Sequence, residues 1–122
     1  MFGKQFSVTF TIDTPEATAT PGQLVEFSGK ITNNADKQGV YLNGIVANST
    51  NPDLTTDPSA FFQLPSRLNL GESEEGKIFS VMIAKTTLAG DYTGIVQIQG
   101  GTNKDSNDDL GDAITYIVHV IK

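Results

Sequence analysis

Several short segments alternate strictly between polar and apolar residues, turn residues separate them, and no stretch sustains a 3.6-residue apolar period. Together these features predict an all-β chain folded as an antiparallel β-sandwich. The 122 residues suffice for one hydrophobic core and are too few for two, so residues 1–122 are expected to form a single domain. Apolar residues make up only 38% of the chain, but Val, Ile, Phe and Tyr supply most of them, and these suit a pleated, half-buried surface.

The first strand is predicted where Phe6, Val8, Phe10 and Ile12 alternate with Ser7, Thr9 and Thr11. Pro15 and the turn Thr20-Pro21-Gly22 interrupt it, and alternation resumes in Val25, Phe27, Gly29 and Ile31 up to the break at Asn33-Asn34. A third strand covers Val40 to Ala47, where Asn43-Gly44 is either a type I′ turn or a bulge inside a bent strand. Asn48 to Pro65 carries three prolines and reads as a long irregular connection with one short edge strand, the pair Phe61-Phe62 tucked beneath it. Arg67 to Leu70 is a short strand ending in the turn Gly71-Glu72-Ser73. Phe79, Val81 and Ile83 mark the next inward face, then Val96 and Ile98, and finally Ile114, Tyr116, Val118 and Val120. Seven to eight strands and no helix result. Within such a sandwich Tyr92, near the start of a late strand, fits a tyrosine corner whose hydroxyl bonds backbone upstream, so the class predicted is immunoglobulin-like.

Fourteen acidic residues against eight basic ones give a net charge of −6, which repels nucleic acid and anionic lipid and removes both as expected partners. Zero Cys excludes disulfides, thiolate metal sites and thiol nucleophiles without fixing the compartment. No run approaches the roughly 18 apolar residues of a membrane helix, and no charged segment followed by an apolar one opens the chain. Direct membrane insertion is not expected. An exported protein would have its signal trimmed, with Phe2 and Gly3 near the mature boundary.

The succession Pro21-Gly22, Ile31-Thr32-Asn33-Asn34, Tyr41-Leu42-Asn43-Gly44, Leu70-Gly71-Glu72-Ser73, Gly90-Asp91-Tyr92-Thr93-Gly94 and Gly100-Gly101 before an Asp-rich loop covers nearly the whole chain. It resembles the Ig-like ectodomains of bacterial surface proteins sorted by the PEP-CTERM and exosortase system. The resemblance implies an Ig-like fold and an extracellular or cell-surface location, with no catalytic residues. The Pro-Glu-Pro signal and membrane helix of that family do not appear, since the sequence given stops at Ile121-Lys122. A more distant likeness is to the non-catalytic Ig-like accessory domains of bacterial glycosidases.

The densest polar segment is Gly101 to Asp112. Oxygen ligands at alternate positions of a loop are what calcium requires, and Asp105, Asn107 and Asp109, with Asp112 beyond, have that spacing. Leu110 stands where an EF-hand needs Gly and Tyr116 where it needs a bidentate Glu, so the loop is no EF-hand. The alternative is a solvated turn. The single histidine, His119, falls out of phase with Tyr116, Val118 and Val120, on the outer face, with no partner evident in sequence. Glu72, Glu74 and Glu75 lie in a turn where no burial would raise the pKa that acid catalysis needs. No nucleophile elbow, zinc motif or phosphate-binding loop occurs. Sugar-binding faces commonly present aromatics for stacking, and with no Trp the best platform is Tyr41, expected to pack inward or at a sheet edge.

No enzyme and no cofactor are expected, calcium being the one ion with a candidate site. The function predicted is a structural or interaction module of the cell envelope or matrix, serving adhesion, matrix formation or self-assembly. Its partner is a protein or polysaccharide of the envelope, and self-association would run through edge strands, Phe6 to Ile12 above all. The alternative is a carbohydrate-binding module, with or without calcium at the Asp-rich loop.

Overall fold

The structure, a computed structural model, describes residues 8–34, 39–64 and 66–121. Among them nine strands form two sheets packed face to face. The four-stranded sheet has the order β1 (Val8–Ile12), β3 (Leu24–Asn33), β7 (Ser73–Ile83), β5 (Leu54–Asp57). The five-stranded sheet runs β2 (Glu16–Ala19), β9 (Asp108–Val120), β8 (Gly90–Gly101), β4 (Val40–Ser49), β6 (Arg67–Leu68). Phe6 and Ser7, expected in the first strand, lie outside the described residues.

The alternation seen in sequence becomes the core. In β3 the residues Val25, Phe27 and Ile31 point inward while Leu24, Glu26 and Lys30 face water. In β7 a bulge opposite Phe27/Ser28 turns both Ile78 and Phe79 inward, adding one large side chain where the sheets are filled by rings. There Phe27 and Phe79 stack at 4.8 Å between centroids, and Tyr116 of β9 tilts against both at 5.3 and 5.0 Å. Such offset and tilted contacts suit the aromatic quadrupole and contribute beyond the area they bury.

Two elements differ from the expected layout. The strand β2 was not anticipated. After Ile12 the chain passes from the four-stranded sheet to the other one, where Glu16–Ala19 pairs with Ile117–Val120 in parallel rather than antiparallel. Pro15 has no N–H to offer, and its carbonyl accepts instead from Ile117 N–H at 2.8 Å. The Asn48 to Pro65 connection is more ordered than expected: β5 is followed by a 3-10 turn over Ser59–Gln63. Asp57 Oδ1 accepts from Ser59 N–H at 3.0 Å to start that turn, and this bond holds the Asp57 carboxyl below its ordinary pKa. Phe61 is buried at 2% exposure, whereas Phe62 stands at 57%, so only half of the pair tucks under the connection. Tyr92 lies against the core and its hydroxyl donates to the Leu88 carbonyl at 2.7 Å, as a tyrosine corner does.

Candidate functional site

The two outer faces of the sandwich differ in chemistry. On the four-stranded sheet, Lys30 faces Glu75 (3.6 Å) and Lys77 faces Glu26 (2.9 Å), a cross-strand ladder of exposed, mutually satisfied charges. Its exposed apolar residues, Leu24 and Met82, are register partners at one end of that ladder. Glu72 and Glu75 are absorbed structurally, the first accepting from Asn69 N–H (2.7 Å) and the second pairing Lys30.

On the five-stranded sheet the outward residues in the middle of β4, β8 and β9 carry no charge, and the row through Ile117 ends on Glu16 of β2. Val46 and Asn48 come from β4, Thr93, Ile95 and Gln97 from β8, and Thr115 and Ile117 from β9. Register sets Ile95 between Asn48 and Thr115, with Val46 opposite Gln97 and Ile117 opposite Thr93. Val46, Ile95 and Ile117 are therefore diagonal neighbours and draw an apolar stripe across three strands. Ile95 is 51% exposed and Val46 39%.

One end of this face is closed by His119. Its Nδ1 lies 2.6 Å from Asp91 Oδ1 on β8 and its Nε2 3.0 Å from Glu16 Oε1 on β2. The expectation of a histidine without a partner is thus corrected: the ring is outward, but two strands supply carboxylates to it. A neutral imidazole has one donor and one acceptor, so facing both nitrogens with carboxylates requires imidazolium. The hydrogen bond to Asp91 first, then that to Glu16, raises the His119 pKa above its ordinary 6.5. Because the folded pKa exceeds the unfolded one, the stabilisation is complete below about pH 6.5 and is lost as pH rises through the folded value. The melting temperature of the wild type is expected to exceed that of His119→Gln at pH 5.5 and to converge on it once the pH has risen through the folded pKa. A gap of constant size across that range would show that the ring contributes by packing alone.

The Asp-rich loop lies at the other end. The bulge at Asn43, between Leu42 and Gly44, settles which of the two sequence readings holds, and it aims the Asn43 amide across the sheet. Its Nδ2 donates to the carbonyls of Asn103 (3.0 Å) and Ser106 (2.8 Å). Asn103 Oδ1 accepts from Asp105 N–H at 2.9 Å, completing an Asx turn. Of the four calcium candidates, Asp105 and Asn107 sit on the exposed loop, Asp109 on β9 where it accepts from Gln99 Nε2 at 3.4 Å, and Asp112 beyond the bulge at Gly111. Among the described residues no three His, Asp or Glu side chains converge to hold a metal. Asn43 and Asn103, which organise the loop, carried no sequence signal beyond turn propensity. Tyr41 is half-exposed beside edge strand β6, with the Arg67 guanidinium 5.6 Å from its ring centroid on the face a sugar would use.

No protein-family model matches the sequence, and no curated protein matches it. Among solved structures the chain is similar to the ASH/PapD-like domain of human CEP192 (PapD-like domain 7), at 12% identity over 100% of this chain and 91% of that one, with a TM-score of 0.60. It is also similar to part of a family 123 glycoside hydrolase from Clostridium perfringens, at 12% identity and a TM-score of 0.50. That match covers 95% of this chain and 28% of the hydrolase. The fold is immunoglobulin-like. At such identities the likeness reaches the sandwich and stops there. Among the described residues no helix is long and apolar enough to cross a membrane.

Proposed function

We propose that this chain is a non-catalytic interaction module of a bacterial cell envelope or extracellular matrix. The observation that carries this reading is the asymmetry of the two outer faces: one is neutralised by its own ion pairs, the other offers an uncharged, partly apolar band. Catalysis finds little support. Asn33 and Thr87 are the only polar residues in the buried set among those described, so no carboxylate there is desolvated enough to serve as a general acid. The turn motifs shared with PEP-CTERM and exosortase-sorted ectodomains support placement at the cell surface, and the excess of acid supports a partner other than nucleic acid.

The test is cosedimentation of the purified protein with an envelope and matrix fraction of the source organism, alongside a panel of glycosidase and esterase substrates. Saturable binding, abolished when the fraction is treated with protease, and no turnover are expected. Turnover of any substrate, or no saturable binding, would overturn the reading. Loss of binding on glycosidase treatment instead would move the partner to polysaccharide.

A further inference from the structure

Resting on that reading, we infer that the outer face of the five-stranded sheet is the docking surface, and that it takes a protein partner presenting an apolar ridge flanked at both ends by lysine or arginine. The apolar part follows from the stripe Val46, Ile95 and Ile117, which crosses the middle of a sheet whose neighbouring outward residues on β4, β8 and β9 are Thr, Asn and Gln, with Glu16 of β2 beside Ile117 at the margin. Uncharged polar groups of that kind lose little on desolvation if they are bonded across the interface, whereas the ion-paired ladder of the opposite sheet would lose its hydration on contact.

The cationic part follows from the two margins. At one end Glu16 and Asp91 flank His119, and two carboxylates against one imidazolium leave that margin net negative even when the ring is protonated. At the other end, among the described residues, Asp105, Asp108, Asp109 and Asp112 outnumber the two cations, Lys104 on the loop and Arg67 held over Tyr41. A second copy of this chain is a poor occupant for the same reason: any face-to-face arrangement brings acidic margins together. Along β8 the margins are marked by Asp91 and by Gln99, the register partner of Asp109, eight residues apart. At a rise of about 3.3 Å per residue the separation is roughly 26 Å. A helix of about 17 residues spans that length, so cations in its first and last turns meet both margins while its apolar side lies on the stripe.

The experiment uses two amphipathic peptides of about 18 residues, both with leucines along one side, one with lysines and the other with glutamates in the terminal turns. Binding is measured by fluorescence anisotropy on the full chain. The lysine peptide is expected to bind at least about tenfold more tightly than the glutamate peptide, and the preference should shrink as salt is added. Ile95→Asp and Val46→Asp should each weaken it about thirtyfold or more, because each buries an unpaired carboxylate at the centre of the contact. Met82→Asp, on the opposite sheet, should leave it within about twofold. All three positions are exposed, and melts verify that the variants fold. Equal affinity for the two peptides would overturn the partner chemistry, and binding that survives both Ile95→Asp and Val46→Asp would overturn the surface. The same variants in the cosedimentation assay separate the two levels: retained binding by Ile95→Asp overturns this surface alone, whereas no binding by the wild type overturns the interaction reading itself.

Discussion

Replacing Tyr116 by Ala is expected to lower stability by about 3–5 kcal/mol, in the range measured for large aromatic-to-alanine changes in close-packed cores, and to lower the melting temperature by more than about 10 °C. Tyr116 has no exposed surface and completes the ring cluster with Phe27 and Phe79, so its loss opens a cavity between the sheets where neither stacked ring can follow. The hydroxyl is a separate contribution. It donates to the Asn48 carbonyl at 2.9 Å, tying β9 to β4 across β8, and Tyr116→Phe should cost about 1 kcal/mol. Burial pushes the Tyr116 phenol up to about 12 from 10. The folded state therefore holds its proton longer than the unfolded state, and wild-type stability should decline as pH rises from about 10 towards 12 by a component that Tyr116→Phe lacks. If urea midpoints of wild type and Tyr116→Ala differed by less than the equivalent of about 1 kcal/mol, the ring cluster would not be the centre of the core.

The parts of this fold that were legible in the sequence are those encoded over a few neighbouring residues. Period-two alternation marks β3, β7 and β9 because each has one wet and one dry face, and Tyr92 was legible because its partner, the Leu88 carbonyl, is four residues away. The strand β2 was not legible. It is four residues long, its inward residues are Ala17 and Ala19 rather than large side chains, and what holds it is a parallel partner at the far end of the chain. The same reason hid the site. His119 and Glu16 are separated by 103 residues, and only the crossing of the chain from one sheet to the other brings β2 beside β9. The uncharged middle of the outer face was hidden in another way. The phase that turns Val96, Ile98, Tyr116 and Val118 inward turns Ile95 and Ile117 outward, but their lying diagonally beside each other and beside Val46 depends on the register of β4, β8 and β9, which alternation does not carry.

Introducing any side chain at Gly94 should be at least as damaging as losing part of the core behind it. A Cβ there would overlap both the Asn48 carbonyl oxygen and the Tyr116 ring at its hydroxyl end. The oxygen belongs to the backbone of the adjacent strand and cannot swing aside, and the ring is locked by Phe27 and Phe79. Gly94→Ala must therefore push β4 away from β8 or break the bond between Tyr116 and Asn48, and a loss of about 3 kcal/mol or more is expected. The consequence reaches the outer face, because Asn48 is the register partner of Ile95, and Val46 lies two residues before it on the same strand. Separating β4 from β8 at that point tilts Val46 away from Ile95 and opens the stripe on which docking depends. At temperatures where Gly94→Ala remains folded, it should still bind the lysine-flanked peptide more weakly than wild type, although the peptide never touches residue 94. Combining it with Tyr116→Phe, which removes the hydroxyl from the overlap, should recover part of the lost stability, so that the two changes cost less together than their sum. Strict additivity would mean that the Asn48 carbonyl alone accounts for the overlap and that the tyrosine has room to move.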